Sequence, residues 1–161
     1  MNEIIYSTAT QLAQAIREKQ VSSEEVVRAH LKRIEQVNGR LNAVVQLAAD
    51  TALEDARRAD HDLARGEAVG PMHGVPVTIK DAFETAGIIS TGGTLGRKDF
   101  VPTTDASAVA RLRAAGAIVL GKTNLPEFSM GMESSNLVYG RTNNPYDLGR
   151  TPGGSSGGEA A

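Results

Sequence analysis

Three stretches of this chain hold side chains whose types and spacing could do chemistry. One is residues 151–158, Thr-Pro-Gly-Gly-Ser-Ser-Gly-Gly, in which six consecutive residues are Gly or Ser. Two hydroxyls, Ser155 and Ser156, are framed there by Gly153, Gly154, Gly157 and Gly158 with nothing apolar between them. Such a run reads either as random coil, the usual behaviour of Gly/Ser-rich segments, or as a site built from backbone. In the second case the glycines admit positive φ and let a ligand come close, and the serines react. The pattern G-x-S-x-G occurs twice, around Ser155 and around Ser156. A nucleophile elbow needs an acid and then a histidine downstream of its serine, but His30, His61 and His73 all lie upstream. A triad of that kind cannot be assembled from these residues.

The other two stretches each carry a lysine. Val75-Pro76-Val77-Thr78-Ile79 is β-prone and delivers Lys80-Asp81. The end of a buried strand is where α/β folds place reactive side chains. Alternation along the strand sends Lys80 and Asp81 to opposite faces, so the adjacent carboxylate need not hold the lysine charged. Desolvated in a Gly/Ser pocket, Lys80 has a lowered pKa and can act as a base; at a solvated strand end it is an ordinary cation. Residues 116–123, Gly-Ala-Ile-Val-Leu-Gly-Lys-Thr, match the phosphate-loop pattern G-x-x-x-x-G-K-[ST] letter for letter. A phosphate loop curls so that its N–H groups surround an anion, yet Ala-Ile-Val-Leu reads as strand, and Pro126 interrupts the helix that should follow. Lys122 is therefore expected to be structural.

The elements that must position these groups begin with helices. Thr8 with Gln11 forms a capping box opening a helix over residues 8–19, whose apolar face is Ala9, Leu12, Ala13 and Ile16. Ser22 with Glu25 repeats the box for a helix over residues 22–38, buried through Val27, Leu31 and Ile34 and stopped by Asn38-Gly39. A short extended segment over residues 41–47 precedes a third helix over residues 50–65, inward through Ala52, Ala56, Ala59 and Leu63 and ended by Gly66. His30 and His61 read as packing or solvated residues, since neither has a partner at ligand spacing.

Composition changes from residue 70 onward. Residues 83–97 are rich in Gly and Thr and read as irregular. Thr103 or Thr104 caps a helix over residues 105–115 with Val109 and Leu112 inward and Gly116 as its stop. Helix, glycine, then the apolar strand 117–120 is the rhythm of an α/β protein whose sheet is at least partly parallel. Asn124 with Glu127 begins a further short helix. Residues 132–158 form a long stretch poor in regular structure, and such loops inside a domain are usually functional. Glu159-Ala160-Ala161 starts a helix within its first turn, which implies that the parent sequence continues.

The totals exclude several classes. At 161 residues the chain can bury a real core. A net charge of -2 leaves no electrostatic footprint for direct nucleic-acid or anionic-membrane binding, and 4% aromatic content without tryptophan gives no base-stacking platform. The absence of cysteine removes disulfide and thiolate chemistry. No apolar run approaches the roughly 20 residues that span a bilayer, and Met1-Asn2-Glu3-Ile4-Ile5 lacks a secretory n-region. A cytoplasmic location is the expectation.

Together the motifs are more specific than any one of them. His73-Gly74-Val75-Pro76-Val77-Thr78-Ile79-Lys80-Asp81, Gly121-Lys122-Thr123-Asn124 with Glu127-Phe128, Thr142-Asn143-Asn144-Pro145, and Pro152 through Gly158 occur in that order. They closely resemble the amidase signature family. The resemblance implies an α/β fold, a mixed β-sheet covered by helices, incomplete in this chain. Residues 1–161 would be the N-terminal part of one amidase domain, with 1–69 a helical covering layer and 70–161 the start of the signature core. It implies a Ser–cisSer–Lys catalytic unit in which Lys80 matches the lysine and Ser155 the bridging serine, with the cis bond at Gly154–Ser155. Gly153, Gly154, Ser156, Gly157 and Gly158 would form the supporting loop, and Ser129 and Met130 would border the acyl pocket. The family's nucleophile lies in a later motif, D-x-G-G-S-I-R, that these 161 residues do not contain.

The implied activity is hydrolysis of carboxylic amides to acid plus ammonia or amine, with no metal or organic cofactor and a small-molecule amide as the partner. A homodimer is one assembly open to the full-length protein, and the 161 residues alone are expected to be inactive. A second reading within the family is an amidotransferase subunit that supplies ammonia for a misacylated tRNA, although residues 83–101 look more like free-standing amidases. From another class, a nucleotide binder using residues 116–123 stands only if 117–120 curl rather than extend.

Overall fold

The computed structural model describes residues 4–67 and 70–161. Met1 to Glu3, part of the start read above as lacking a signal, and Ala68-Val69, at the expected boundary between helical layer and core, lie outside the described residues. Helix α1 (Ala9–Arg17) opens on the expected box: Gln11 N–H donates to Thr8 Oγ1 at 3.2 Å and Thr8 N–H to Gln11 Oε1 at 2.8 Å. Helix α2 (Ser23–Leu41) follows, then strand β1 (Val44–Leu47), helix α3 (Ala49–Ala64), strand β2 (Pro76–Lys80), helix α4 (Ser107–Ala114) and strand β3 (Ile118–Thr123). The chain continues through two-residue strands β4 (Ser135–Asn136) and β5 (Gly140–Arg141) to a four-residue helix α5 (Gly157–Ala160).

The sheet that matters has the order β1-β3-β2. Strand β3 is central and buried along its whole length, as its Ile-Val-Leu composition requires. It pairs antiparallel with β1, Val44 opposite Thr123 and Leu47 opposite Gly121, with a register irregularity between Val44 and Gln46. Against β2 it runs in the same direction: Ile118 N–H donates to Val75 O beside one end, and Asp81 N–H donates to Thr123 O beside the other. The sheet is therefore mixed.

By contacts the chain divides into two compact units, one of residues 1–34, 48–77 and 110–120 and one of 35–47, 78–109 and 121–161. In the first, the alanine face of α3 (Ala52, Ala56, Ala59) packs with Val27, Ile118 and Leu120, joined by Leu31, Ile34 and Leu53. A second cluster unites Leu12, Ala13, Ile16, Val26 and Val75 with Ile4, Val21, Leu63 and Met72. Each fully buried Val or Ile there contributes on the order of 1.5–3 kcal/mol relative to exposure. Ala9, expected inward, is exposed at the N-terminal edge of α1. Asp60 of α3 accepts the Ser23 and Glu24 N–H groups at 2.6 and 3.0 Å, satisfying first-turn donors of α2 that the chain itself leaves open.

Three expected boundaries move, each for a side-chain reason. Asn38-Gly39 does not stop α2. The Asn38 amide oxygen accepts Ala43 and Val44 N–H at 2.9 Å each and its nitrogen donates to Val44 O, while the left-handed residue is Asn42 at φ 53°. Helix α4 starts at Ser107 rather than Asp105, whose carboxylate accepts Ala86 N–H at 2.7 Å. Asn124 opens no α-helix: its amide donates to Gly140 O and Thr142 Oγ1, and only a 3-10 turn, Glu127–Ser129, follows.

Candidate active site

The site lies in the second unit, at the end of β2. Lys80 is half-buried, and its Nζ donates to Ser155 Oγ at 2.7 Å across 75 positions of sequence. The Gly154–Ser155 peptide bond is cis. Burial pulls the Lys80 pKa below the ordinary lysine value, opposed by the Glu159 carboxylate. Asp81, next in the chain, faces the other way. Its buried carboxylate accepts Thr91 N–H and Thr91 Oγ1–H, the latter at 2.6 Å, and sits 3.2 Å from Lys122 Nζ. No hydrogen bond or ion pair joins Lys80 to Asp81 among the described residues.

Lys122 is fully enclosed. Besides Asp81, its ammonium donates to Phe83 O at 2.6 Å and Ser90 Oγ at 2.8 Å. Burial lowers its pKa and Asp81 works against that. The segment 117–120 is extended, Ala117 leading directly into β3. No curled loop exists there to receive a phosphate, and the lysine that would reach it is walled in. The nucleotide-binding alternative is thereby removed.

The Gly/Ser loop is held from beneath by Ser134, a residue that its sequence context did not single out. Fully buried, it donates to Gly153 O at 3.1 Å through its hydroxyl, which also accepts Gly157 N–H at 2.7 Å. Its position in a Glu-Ser-Ser-Asn run carries no local signal of that role. Close approach sets two glycines: a Cβ on Gly154 would lie 2.9 Å from Met132 C, and one on Gly158 would lie 2.3 Å from Asn124 N and 2.7 Å from Ala43 O. Ser156 is exposed, and its carbonyl, accepting Glu159 and Ala160 N–H, is the group engaged. Ser129 and Met130 make no hydrogen bond to Lys80 or Ser155. Ser129 is half-buried at φ 60° and Met130 is 87% exposed.

A hydroxyl and an amine in contact can pass a proton between them, provided the amine is neutral. The Amidase family model matches residues 25–161. The chain belongs to the Amidase family. A glutamyl-tRNA(Gln) amidotransferase subunit of Acidothermus cellulolyticus is 47% identical over the whole chain, which covers 32% of that relative. Fatty acid amide hydrolase superposes with TM-score 0.91 at 31% identity, over 99% of this chain and 29% of its own. Native peptide amidase from Stenotrophomonas maltophilia gives 0.89 at 35% identity, over 95% and 33%. This Amidase-family chain thus spans about a third of the length of the curated relatives it matches.

Proposed function

We propose that this chain carries the base and the bridging hydroxyl of a Ser–cisSer–Lys amide hydrolase. The observation that carries the reading is the 2.7 Å contact of Lys80 Nζ with Ser155 Oγ, made by a lysine whose neighbouring carboxylate is committed elsewhere. In the neutral amine the same contact runs in reverse, with the Ser155 O–H donating to Nζ. A serine nucleophile, supplied by the part of the family's length that these residues do not span, attacks an amide carbonyl. Its proton passes to Ser155 as the Ser155 proton passes to Lys80. The relay then reverses, protonating the departing ammonia or amine as the C–N bond breaks and leaving an acyl ester on the nucleophile. Water, deprotonated through the same pair, releases the acid. Lys80 and Ser155 are the catalytic residues; Gly153, Gly154, Ser156, Gly157 and Gly158 shape the loop; Ser129 and Met130 border the acyl side. The mechanism routes no step through a metal or organic cofactor.

The test is Lys80→Ala in the protein made from its complete reading frame. Loss of a general base predicts a fall in amide turnover of about 10²- to 10⁴-fold at neutral pH. Turnover near the parental rate overturns the assignment.

A second reading is favoured by the curated relatives, several of which are named as glutamyl-tRNA(Gln) amidotransferase subunits and share 42–48% identity with this chain. Here the amide would be glutamine and the released ammonia would pass to a partner subunit. Hydrolysis of simple amides by the isolated protein supports the free-standing enzyme. Glutamine hydrolysis that depends on a copurifying partner supports the amidotransferase.

A further inference from the structure

We propose that Glu159 is a positioning residue for this relay: it ties the Gly/Ser loop to the two strands beside Lys80 and fixes one negative charge near the amine. The inference rests on the reading of Lys80 as base, but its principal test does not require turnover.

The geometry is a double tether. Glu159 Oε2 accepts the Thr78 hydroxyl at 2.8 Å and Oε1 accepts the Thr123 hydroxyl at 2.7 Å. Thr78 lies two residues before Lys80 on β2, hence on the same face, and Thr123 ends β3. Glu159 in turn stands four residues after Ser155, so side chains of the cis loop and the turn that follows it meet the strands at three places: Lys80 with Ser155, Thr78 with Glu159 and Thr123 with Glu159. Helix α5 is only four residues long; Gly157 N–H on Ser134 Oγ and Gly158 N–H on Asn124 O hold its start, and the Glu159 carboxylate adds the side-chain tether to β2 and β3. Without that tether Ser134 still holds the loop from beneath, but the Ser155 hydroxyl is fixed less closely against the amine.

The carboxylate also acts through its charge, favouring the protonated form of Lys80 against the burial that disfavours it. The surrounding ionisable groups leave that role to Glu159. Asp81 and Lys122 pair with each other, and Glu84 of the 83–93 segment pairs with Arg97 at 2.7 Å. Residues 151–158 carry no charge, and α5 has none besides Glu159. Glu133 belongs to the segment whose backbone lies against Gly154. Burial and the Glu159 charge therefore pull the Lys80 pKa in opposite directions, burial prevailing.

The experiment compares Glu159→Gln and Glu159→Ala with the parent, in the protein made from its complete reading frame. Lys80 is titrated by the ¹³Cε shift of labelled lysine, and kcat and the pH profile of kcat/KM are measured alongside. Glutamine accepts from one threonine and donates to the other, keeping both tethers while removing the charge. The Lys80 midpoint, and with it the acid limb of kcat/KM, is expected to move to lower pH in Glu159→Gln. For kcat, Glu159→Gln stays within about twofold of the parent and Glu159→Ala falls about tenfold, the cost of a misplaced group. An unchanged Lys80 midpoint in Glu159→Gln overturns the electrostatic role, and parental kcat in Glu159→Ala overturns the tether. If Glu159→Ala does not fold, the Gln titration still decides. Full turnover in Lys80→Ala sinks the parent mechanism instead, a result the titration of Lys80 cannot mimic.

Discussion

Two lysines of one chain are given opposite fates by what surrounds them. Lys80 meets a hydroxyl and no contacting carboxylate, whereas Lys122 meets a carboxylate, a carbonyl and a hydroxyl in a space with no exposure. Breaking a buried pair by removing one partner leaves the other charge uncompensated. Lys122→Met is accordingly expected to lower stability by about 3–5 kcal/mol, read by urea denaturation. Lys122→Met with Asp81→Asn should recover part of that loss, because the amide keeps an acceptor for Thr91. Equal losses in the single and double variants would show that the charge is not what matters. That Lys122 does not belong to a phosphate loop was legible in the sequence, because Ala-Ile-Val-Leu already reads as strand. Its true partner was not legible: Asp81 lies 41 positions earlier, and nothing local says that the two meet. The meeting of Lys80 and Ser155 was likewise not readable from residue types, only from the order of motifs shared with a family.

At the scale of elements, local chemistry was legible and tertiary capture was not. Thr8 with Gln11 and Ser22 with Glu25 are self-contained boxes, and the structure forms both. The alanine face of α3 was equally plain from its spacing. Asn38, Asp105 and Asn124 carry the same local signals as stops and caps, but each spends its side chain on a more distant backbone group. Glu159 reads as an ordinary first-turn acid until Thr78 and Thr123 are seen beside it. The seating of α5 is a matter of clearance as well as hydrogen bonding. Gly158→Ala would place a methyl against the backbone of Asn124 and Ala43, and overpacking of this kind costs about 1–3 kcal/mol. A thermal melt superimposable on the parent's would show that the loop can move aside.

For the molecule as a whole, the α/β class and the mixed sheet under helices follow the rhythm of helix, glycine and apolar strand. The interleaving of segments in each compact unit does not, since it depends on which distant stretches pack. Among the described residues no helix is long and apolar enough to cross a membrane. In the second unit Met130, Met132, Leu137 and Tyr146 are each more than 80% exposed, large apolar side chains that these 161 residues leave bare. On the proposed Ser–cisSer–Lys reading, the chain expressed alone is expected to hydrolyse no amide and take no label from a fluorophosphonate, and the protein from the complete reading frame is expected to do both. Labelling of the 161-residue chain would place a reactive serine within it. The enclosure of Lys122 has one more consequence. Of the five lysines, Lys19, Lys32 and Lys98 face solvent and Lys80 is half-buried, so an amine-acylating reagent finds three open targets, one partly screened amine at Lys80, and one, Lys122, that stays untouched until the chain unfolds. The pattern of acylated lysines is therefore a built-in gauge of whether this unit is folded.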